Sequence, residues 1–445
     1  MQYSQDQIDA INGITQWLET PEDLSPRVLT GFAGSGKSTL IAEVCRLASA
    51  YRCNYHLSAM THKACDIVTA ATNEKCMTVH KLCGLAPGMN KNGQESLVDK
   101  NRVHILPDSL IILDEASMVG TRLLKILAKK VKKYRSKLLF VGDPYQLPPI
   151  NENCPIFDGT IPTYELTTVH RQKGDNPILD IATEFRKFIA GERSDMPVIK
   201  TKLNSDGNGV HVITAKEFTE QYIGKYINHQ PEDKVNVPMC AYTNKQVDKY
   251  NQMIRNSIHF LDGEIKPFYE GEKLISNKVV IDHPNNIILG NNVPVTVKSY
   301  SDWVKPYTSI AGVDIEVPVY RVDVIYKRHD PRSNQQVQSS IMLLVPKSKQ
   351  QYQQVLQAIA KEAKLAKDKP TRNKIWKLLY ALKNGIADLR PPYASTTHKA
   401  QGSTHEGVFI DLKDIMSCKQ LYTRARLIYV ALTRATTNVY IREDK

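Results

Sequence analysis

A glycine-rich stretch, GFAGSGKSTL at residues 31–40, carries the residue types that grip a chain of phosphates. It fits G-x-x-x-x-G-K-[ST] at Gly31, Gly36, Lys37 and Ser38, follows the apolar pair Val28-Leu29, and runs into LIAEVCRL, whose apolar positions recur at helical spacing. Glycines permit backbone angles that a side chain forbids, so successive amides turn inward around phosphate oxygens, and the helix start adds partial positive charge. Gly34, Ser35 and Thr39 belong to the same cradle. Lys37 is placed to reach the β- and γ-phosphates and Ser38 to hold magnesium, so the expected ligands are ATP and Mg2+.

Two more apolar runs end in groups that could act on a phosphate. LIILDEAS places Asp114 and Glu115 at the end of a strand, where ligands sit in open parallel sheets. Asp114 is expected to hold magnesium with Ser38, and Glu115 to orient and deprotonate an attacking water. FVGDPYQLPPI ends in Gln146, which either bonds that water and the γ-phosphate or belongs to a proline-rich turn. Arg171 in LTTVHRQ and Arg434 in VALTRATTN close apolar runs far along the chain from Lys37. A guanidinium beside the γ-phosphate would speed its transfer; the other reading is a surface ion pair.

The elements that must carry these groups follow from the pattern. The chain has 445 residues, 42% hydrophobic and 24% charged, which suits two to four soluble domains. No apolar run reaches membrane length and the start, MQYSQDQIDA, lacks the form of a signal peptide, so the expected location is the cytoplasm. Eight cysteines without a C-x-x-C pair, among them Cys45 and Cys65 in apolar helical stretches, read as free buried thiols. A formal charge of +13 points to a polyanion partner.

Strands and helices alternate through residues 1–80, as in a parallel sheet with crossover helices. The rhythm breaks at 82–108, a small inserted hairpin or loop, and resumes through 109–150. A second block begins near Thr167. Short β-branched runs between about 258 and 345 predict an inserted antiparallel barrel, and Lys- and Ala-rich helices follow, separated near Pro370. The last fifty residues return to strand and helix. The predicted class is α/β, a parallel sheet with crossover helices followed by a second block of strand and helix.

Gln7, GFAGSGKST, MTHKA, TVH, LDEAS, GDPYQLPP, LTTVHRQ, AYTNKQVDKYN, THKAQGST and YVALTRA together resemble, in order and spacing, the motifs of superfamily 1 helicases, B branch, the phage Dda-type and RecD-like enzymes. The resemblance implies two RecA-like motor domains, 1–170 (with 82–108 as the wedge or pin) and 171–257 plus 393–445. It implies an inserted region 258–392, an SH3-like barrel to about 345 and a helical tower at about 350–390. It gives adenine to Gln7, arginine fingers to Arg171 and Arg434, a place near the γ-phosphate to Gly402, and a nucleotide-sensing role to Gln146. Thr61, His62, Lys63, Thr78 and His80 from the first motor, and Thr243, Asn244, Thr397, His398, Lys399 and Ser403 from the second, would line a track for single-stranded DNA. Leu97 or Met89 would press on the first base pair of a tailed or forked duplex, while Trp376 reads as the core of the helical hairpin. The implied activity is monomeric, ATP-dependent 5′ to 3′ unwinding of DNA. An RNA-directed helicase, an ATP-driven clamp that does not unwind, and a RecD-like subunit are the competing readings.

Overall fold

The computed structural model describes residues 3–89, 95–99, 102–149, 152–168, 176–227, 238–259, 265–282, 286–308, 314–327 and 335–442. The chain forms two compact units, one of Met1–Leu85, Asp99–Tyr250 and Tyr393–Lys445, the other of Ala86–Val98 and Asn251–Pro392.

The first unit holds two sheets. In one, strands lie in the order Cys76–Thr78, Tyr55–Ala59, Leu110–Asp114, Lys137–Gly142, Arg27–Gly31, Thr163–Leu166. Every pairing in it is parallel. Parallel strands are covered by helices on both faces, which is why Lys137–Gly142 is buried at every residue and Leu110–Asp114 at all but its last. Helices Lys37–Ala50, His62–Thr72 and Thr121–Lys133 make the crossovers. Three adjacent strands therefore deliver Asp114, Gly142 and Gly31 to one carboxyl edge.

A buried cation finishes the opposite edge. Lys137 is 7% exposed, and its ammonium donates to the carbonyls of Trp17, Thr20 and Asp23, each at 2.7 Å. Those carbonyls lie at and just beyond the end of helix Gln5–Leu18, where the helix has no internal donors left and its dipole is negative.

The second sheet runs Ala394–Thr396, Met239–Ala241, His405–Ile410, Ala435–Arg442, Gly209–Ile213, with Lys202–Leu203 antiparallel at the edge. Its central helix, Leu421–Leu432, is buried from Leu427 through Leu432, so its second half is apolar nearly all round, and it packs against helix Pro177–Ala190.

In the second unit the strands run Ile386–Ala387, Gln336–Leu344, Asp314–Lys327, Pro294–Thr308, Lys273–Ser276, Leu389–Arg390. The two edge strands are separated in sequence by Asp388 alone, so the sheet has to curl until its ends meet. The barrel thus draws its closing strands from beyond residue 345, inside the range that the sequence assigns to the helical tower. Val295, Val297, Val322, Val324 and Ile341 fill it. Helices Lys349–Leu365 and Lys369–Gly385 pair beside it, with Asp368 capping the second and Pro370 in its first turn. Trp376 is buried between them with Val317, Val319 and Tyr352, as core. At 82–108 the inserted element is a hairpin of Leu85–Met89 and Glu95–Asp99. Leu97 is half-buried there, and the Met89 side chain lies outside the described residues. Cys45 and Cys65 are buried and free.

Lys137→Met should remove three charge-assisted bonds, though the Trp17, Thr20 and Asp23 carbonyls each keep one other donor, costing about 1–3 kcal/mol. A thermal melt unchanged by the substitution would show that water replaces the ammonium without penalty.

Candidate nucleotide cleft

The phosphate loop has the backbone its glycines predict. Gly34 and Gly36 are left-handed at φ 87° and 84°, and a methyl group on Gly31 would collide with Ser35 Oγ. Gly36 starts the helix that carries Lys37 and Ser38. The Lys37 ammonium folds back onto the carbonyls of Gly31 at 2.5 Å and Phe32 at 3.0 Å, a loop-closing pose that a phosphate would compete for. Ser35 is 1% exposed and its hydroxyl has no partner among the described residues. The buried Gln7 ties this loop to the first helix: its amide oxygen accepts from Ser4 N–H at 3.2 Å and its Nε2 donates to the Ser35 carbonyl at 3.3 Å.

Across the edge, Glu115 adopts φ 53° and ψ 42°, a left-handed conformation that a side chain rarely takes and that turns the chain sharply at the strand end. Burial raises the Glu115 carboxyl to about 7, the charge of Asp114 adds to this, and Arg434 and Lys37 oppose it. Asp114 is also raised by burial, against the Glu115 amide and Lys37. Gln146 is 5% exposed and its side-chain oxygen has no partner among the described residues. A buried amide oxygen without a donor is costly, and a water or a ligand donor would satisfy it.

The second sheet meets this edge. Arg434 is 5% exposed, and its guanidinium donates to the carbonyls of Val430 at 3.0 Å and Ser403 at 2.9 Å and to the Thr433 hydroxyl at 3.1 Å. Burial lowers its pKa, and Glu115 is the chief charge working the other way. Gly402, left-handed at φ 72°, brings its turn so close that a Cβ there would lie 3.6 Å from Glu115 Oε1.

Contacts that the sequence reading missed join the two sheets. Tyr429 donates to Asp143 Oδ2 at 2.7 Å, Arg426 to the carbonyls of Pro144 at 2.5 Å and Gln146 at 2.6 Å, and Gln401 to the Ser117 hydroxyl at 3.0 Å. Leu147 inserts among Ile178, Phe185 and their neighbours in the second core. The Arg186 guanidinium lies 4.3 Å over the ring of Phe32, in the phosphate loop. Helical spacing puts Arg426, Tyr429 and Thr433 on one face of the segment that leads to Arg434, but does not name their partners.

Residues 2–194 match the AAA domain family, and residues 391–441 match the UvrD-like helicase C-terminal domain. The ATP-dependent DNA helicase Dda of Enterobacteria phage T4 is 25% identical over 433 residues, covering 93% of each chain. An uncharacterized protein of Acanthamoeba polyphaga mimivirus is 24% identical, over 92% of this chain and 93% of its own. The ATP-dependent RecD2 DNA helicase of Deinococcus radiodurans is 33% identical over 187 residues, 42% of this chain and 25% of its own. The phosphate-loop half and the arginine-bearing half of the cleft are thus each matched, and in helicases. The chain is a superfamily 1 helicase of the B branch. Its fold is that of the Pif1 helicases of Candida albicans (TM-score 0.50, 17% identity, 100% of this chain and 95% of the other) and of Bacteroides, solved with ADP-AlF3 and ssDNA (0.50, 17%, 100% and 93%).

In this helicase, the residues expected to line a strand divide by exposure. His62, Lys63, Asn244 and Lys399 are exposed, while Thr61, His80, Thr243 and His398 are half-buried. Thr61 and Thr78 cap helix starts, accepting from Ala64 and Lys81 amides at 3.1 Å and 3.4 Å. The Thr243 hydroxyl donates to Asp414 at 2.9 Å. Two expectations need correcting. Thr397 is fully buried with its hydroxyl on the Ala241 carbonyl, and Ser403 is fully buried with its hydroxyl on the Ala400 carbonyl and His405. Neither side chain is open to a strand; Ser403 instead belongs to the frame around Arg434. Arg171 lies outside the described residues. The preceding Thr167 and Thr168 amides are anchored on Asp6, at 2.7 Å and 2.8 Å.

Tyr429→Phe should leave one Asp143 oxygen buried without its donor and cost about 1–3 kcal/mol, seen as a lower thermal midpoint of the nucleotide-free protein. An unshifted midpoint would show that the bond between the two sheets carries no stability.

Proposed function

We propose that this helicase is a monomeric motor that hydrolyses ATP in the cleft, moves 5′ to 3′ along single-stranded DNA, and separates a tailed or forked duplex. The observation that carries the reading is the convergence on Glu115 of Lys37 from one sheet and of Gly402 and Arg434 from the other. Hydrolysis needs a base for the attacking water and cations placed where charge develops, and Glu115, Lys37 and Arg434 are of those types.

The cradle fits a triphosphate: its left-handed glycines clear the space, and Ser35 supplies an unpaired hydroxyl inside it. Ser38 and Asp114 are the residues that would hold Mg2+, which would neutralise phosphate charge when bound. Lys37 exchanges its two carbonyls for phosphate oxygens. Glu115 takes the proton of the attacking water, and Gln146 positions that water with its unpaired oxygen. Arg434, and Arg171 by its place in the motif order, meet the charge growing on the γ-phosphate. Gln7 reads adenine by giving up its two long internal bonds.

Binding and loss of the γ-phosphate then change the spacing of the two sheets, because groups from both touch it. The exposed His62 and Lys63 on one and Asn244 and Lys399 on the other grip phosphates of a strand without reading its sequence. Alternating grip converts each cycle into a step. The Dda helicase of phage T4, alike over 93% of the chain, supports DNA as the substrate.

Glu115→Gln should lower strand-stimulated hydrolysis by about 10²–10⁴-fold with nucleotide binding retained. Turnover near the parent rate would remove Glu115 from the base role. Unwinding of duplexes carrying a 5′ or a 3′ tail, in DNA and in RNA, should show activity on the 5′-tailed DNA. A preference for 3′ tails defeats the polarity, and a preference for RNA tails defeats the substrate.

A further inference from the structure

Thr121–Lys133, the helix that follows Asp114 and Glu115, plays no part in the cleft. Between Thr121 and Arg135 the sequence reads TRLLKILAKKVKKYR, seven cations and no Asp or Glu, more than half of the formal charge of +13. Leu123, Leu127 and Val131 bury one side of the helix, 6%, 0% and 8% exposed. On the opposite side Arg122, Lys125, Lys129, Lys132 and Lys133 are all exposed, within an arc of about 100°. The flanking carboxylates are spoken for at the two ends: Glu152 Oε2 accepts the Arg122 backbone amide at 3.4 Å, and Asp108 pairs with Arg135 at 3.2 Å.

A row of like charges at this spacing weakens its own helix by a few tenths of a kcal/mol per pair. Nothing in fold or catalysis requires it, since the buried stripe alone anchors the helix. The row is straight and about 16 Å long from end to end, and its cations recur every turn or so. That geometry follows one phosphate backbone over three or four contacts.

We infer that this helix face is a docking surface for the sugar-phosphate backbone of double-stranded DNA, separate from the single-strand track. The inference rests on the DNA-helicase reading and extends it to the duplex part of the substrate. Duplex rather than single strand is indicated by what the face lacks. Proteins that hold single strands pair their cations with aromatic platforms for the unstacked bases. The exposed face here consists of Arg122, Lys125, Lys129, Lys132 and Lys133 with Thr121 and Ala128, and carries no aromatic ring. Tyr134, at the helix end, is half-buried and sits under the Lys133 ammonium at 5.5 Å. A duplex keeps its bases stacked and offers only phosphates, which is all that this face can bind.

The test compares the parent with the triple variants Lys125→Glu/Lys129→Glu/Lys132→Glu and Lys125→Gln/Lys129→Gln/Lys132→Gln in the full chain. Binding is measured by anisotropy over a range of salt, with a single-stranded DNA oligonucleotide and with the same oligonucleotide carrying a duplex segment. For the tailed duplex the slope of log K against log salt should flatten by about 2–3 and affinity should fall by roughly tenfold or more, with the Gln variant less affected than the Glu variant. Single-strand affinity and strand-stimulated ATPase should stay at parent values. An unchanged tailed-duplex slope overturns the inference, including the case where the face serves an acidic protein instead. An equal loss on the single strand also overturns it, because the helix would then belong to the track. A parent protein that gains no ATPase from a single strand would refute the proposed function instead, whatever the variants do.

Discussion

The burial of two opposite charges, Glu115 on one sheet and Arg434 on the other, sets the terms for the cleft. A carboxyl beside Asp114 and a guanidinium 5% exposed are each costly to desolvate, and each is the chief opposite charge acting on the other. The Arg434 guanidinium is further held by two carbonyls and a hydroxyl, so its position is fixed by the second sheet's own backbone before any ligand arrives. A preset cation costs no reorganisation when charge develops on a neighbouring phosphate. Glu115, in a left-handed conformation at the end of a rigid strand, is preset in the same sense from the other side.

What holds the two presets opposite each other is a small set of bonds with little redundancy. Tyr429 to Asp143, Arg426 to two carbonyls, and Gln401 to Ser117 all run from the second sheet's turns and helix to loops at the carboxyl edge of the first. Those loops are also the ones bearing Glu115 and Gln146. Any group that shifts the loops therefore acts on the ties, and any change in the ties is felt by the groups that would touch a γ-phosphate. On the proposed function a local contact would become a movement of whole sheets by this route, since packed cores do not deform gradually.

The parts of the site legible in the sequence are those fixed by local rules. Gly31–Ser38 could be read because only glycine tolerates the backbone of that loop, and Asp114 and Glu115 because an apolar run that stops at acids marks a strand end. Arg426, Tyr429 and Leu147 could not, because their partners lie about 280 residues away in two cases and in another core in the third, and periodicity reports only that a position is buried. Thr397 and Ser403 show a different limit. A hydroxyl in a polar motif serves equally well as a ligand or as an internal bond, and the choice depends on how the neighbouring strands pack. The barrel's closing strands, Ile386–Ala387 and Leu389–Arg390, escaped because two residues carry no alternation to detect.

Gln146 and Leu147 stand next to each other yet answer to different halves of the molecule. Leu147 is locked in the second core, while the Gln146 carbonyl is held by Arg426 and its side-chain oxygen is left without a partner in the cleft. A residue so placed cannot move with the first sheet alone. If a water or phosphate oxygen occupies the vacant bond, the gain is available only while the second sheet keeps Leu147 seated, so satisfaction of one amide and docking of the two sheets favour each other. On the proposed function, the stretch that could also be a plain proline-rich turn is the point at which the occupancy of the cleft and the spacing of the sheets would become one equilibrium.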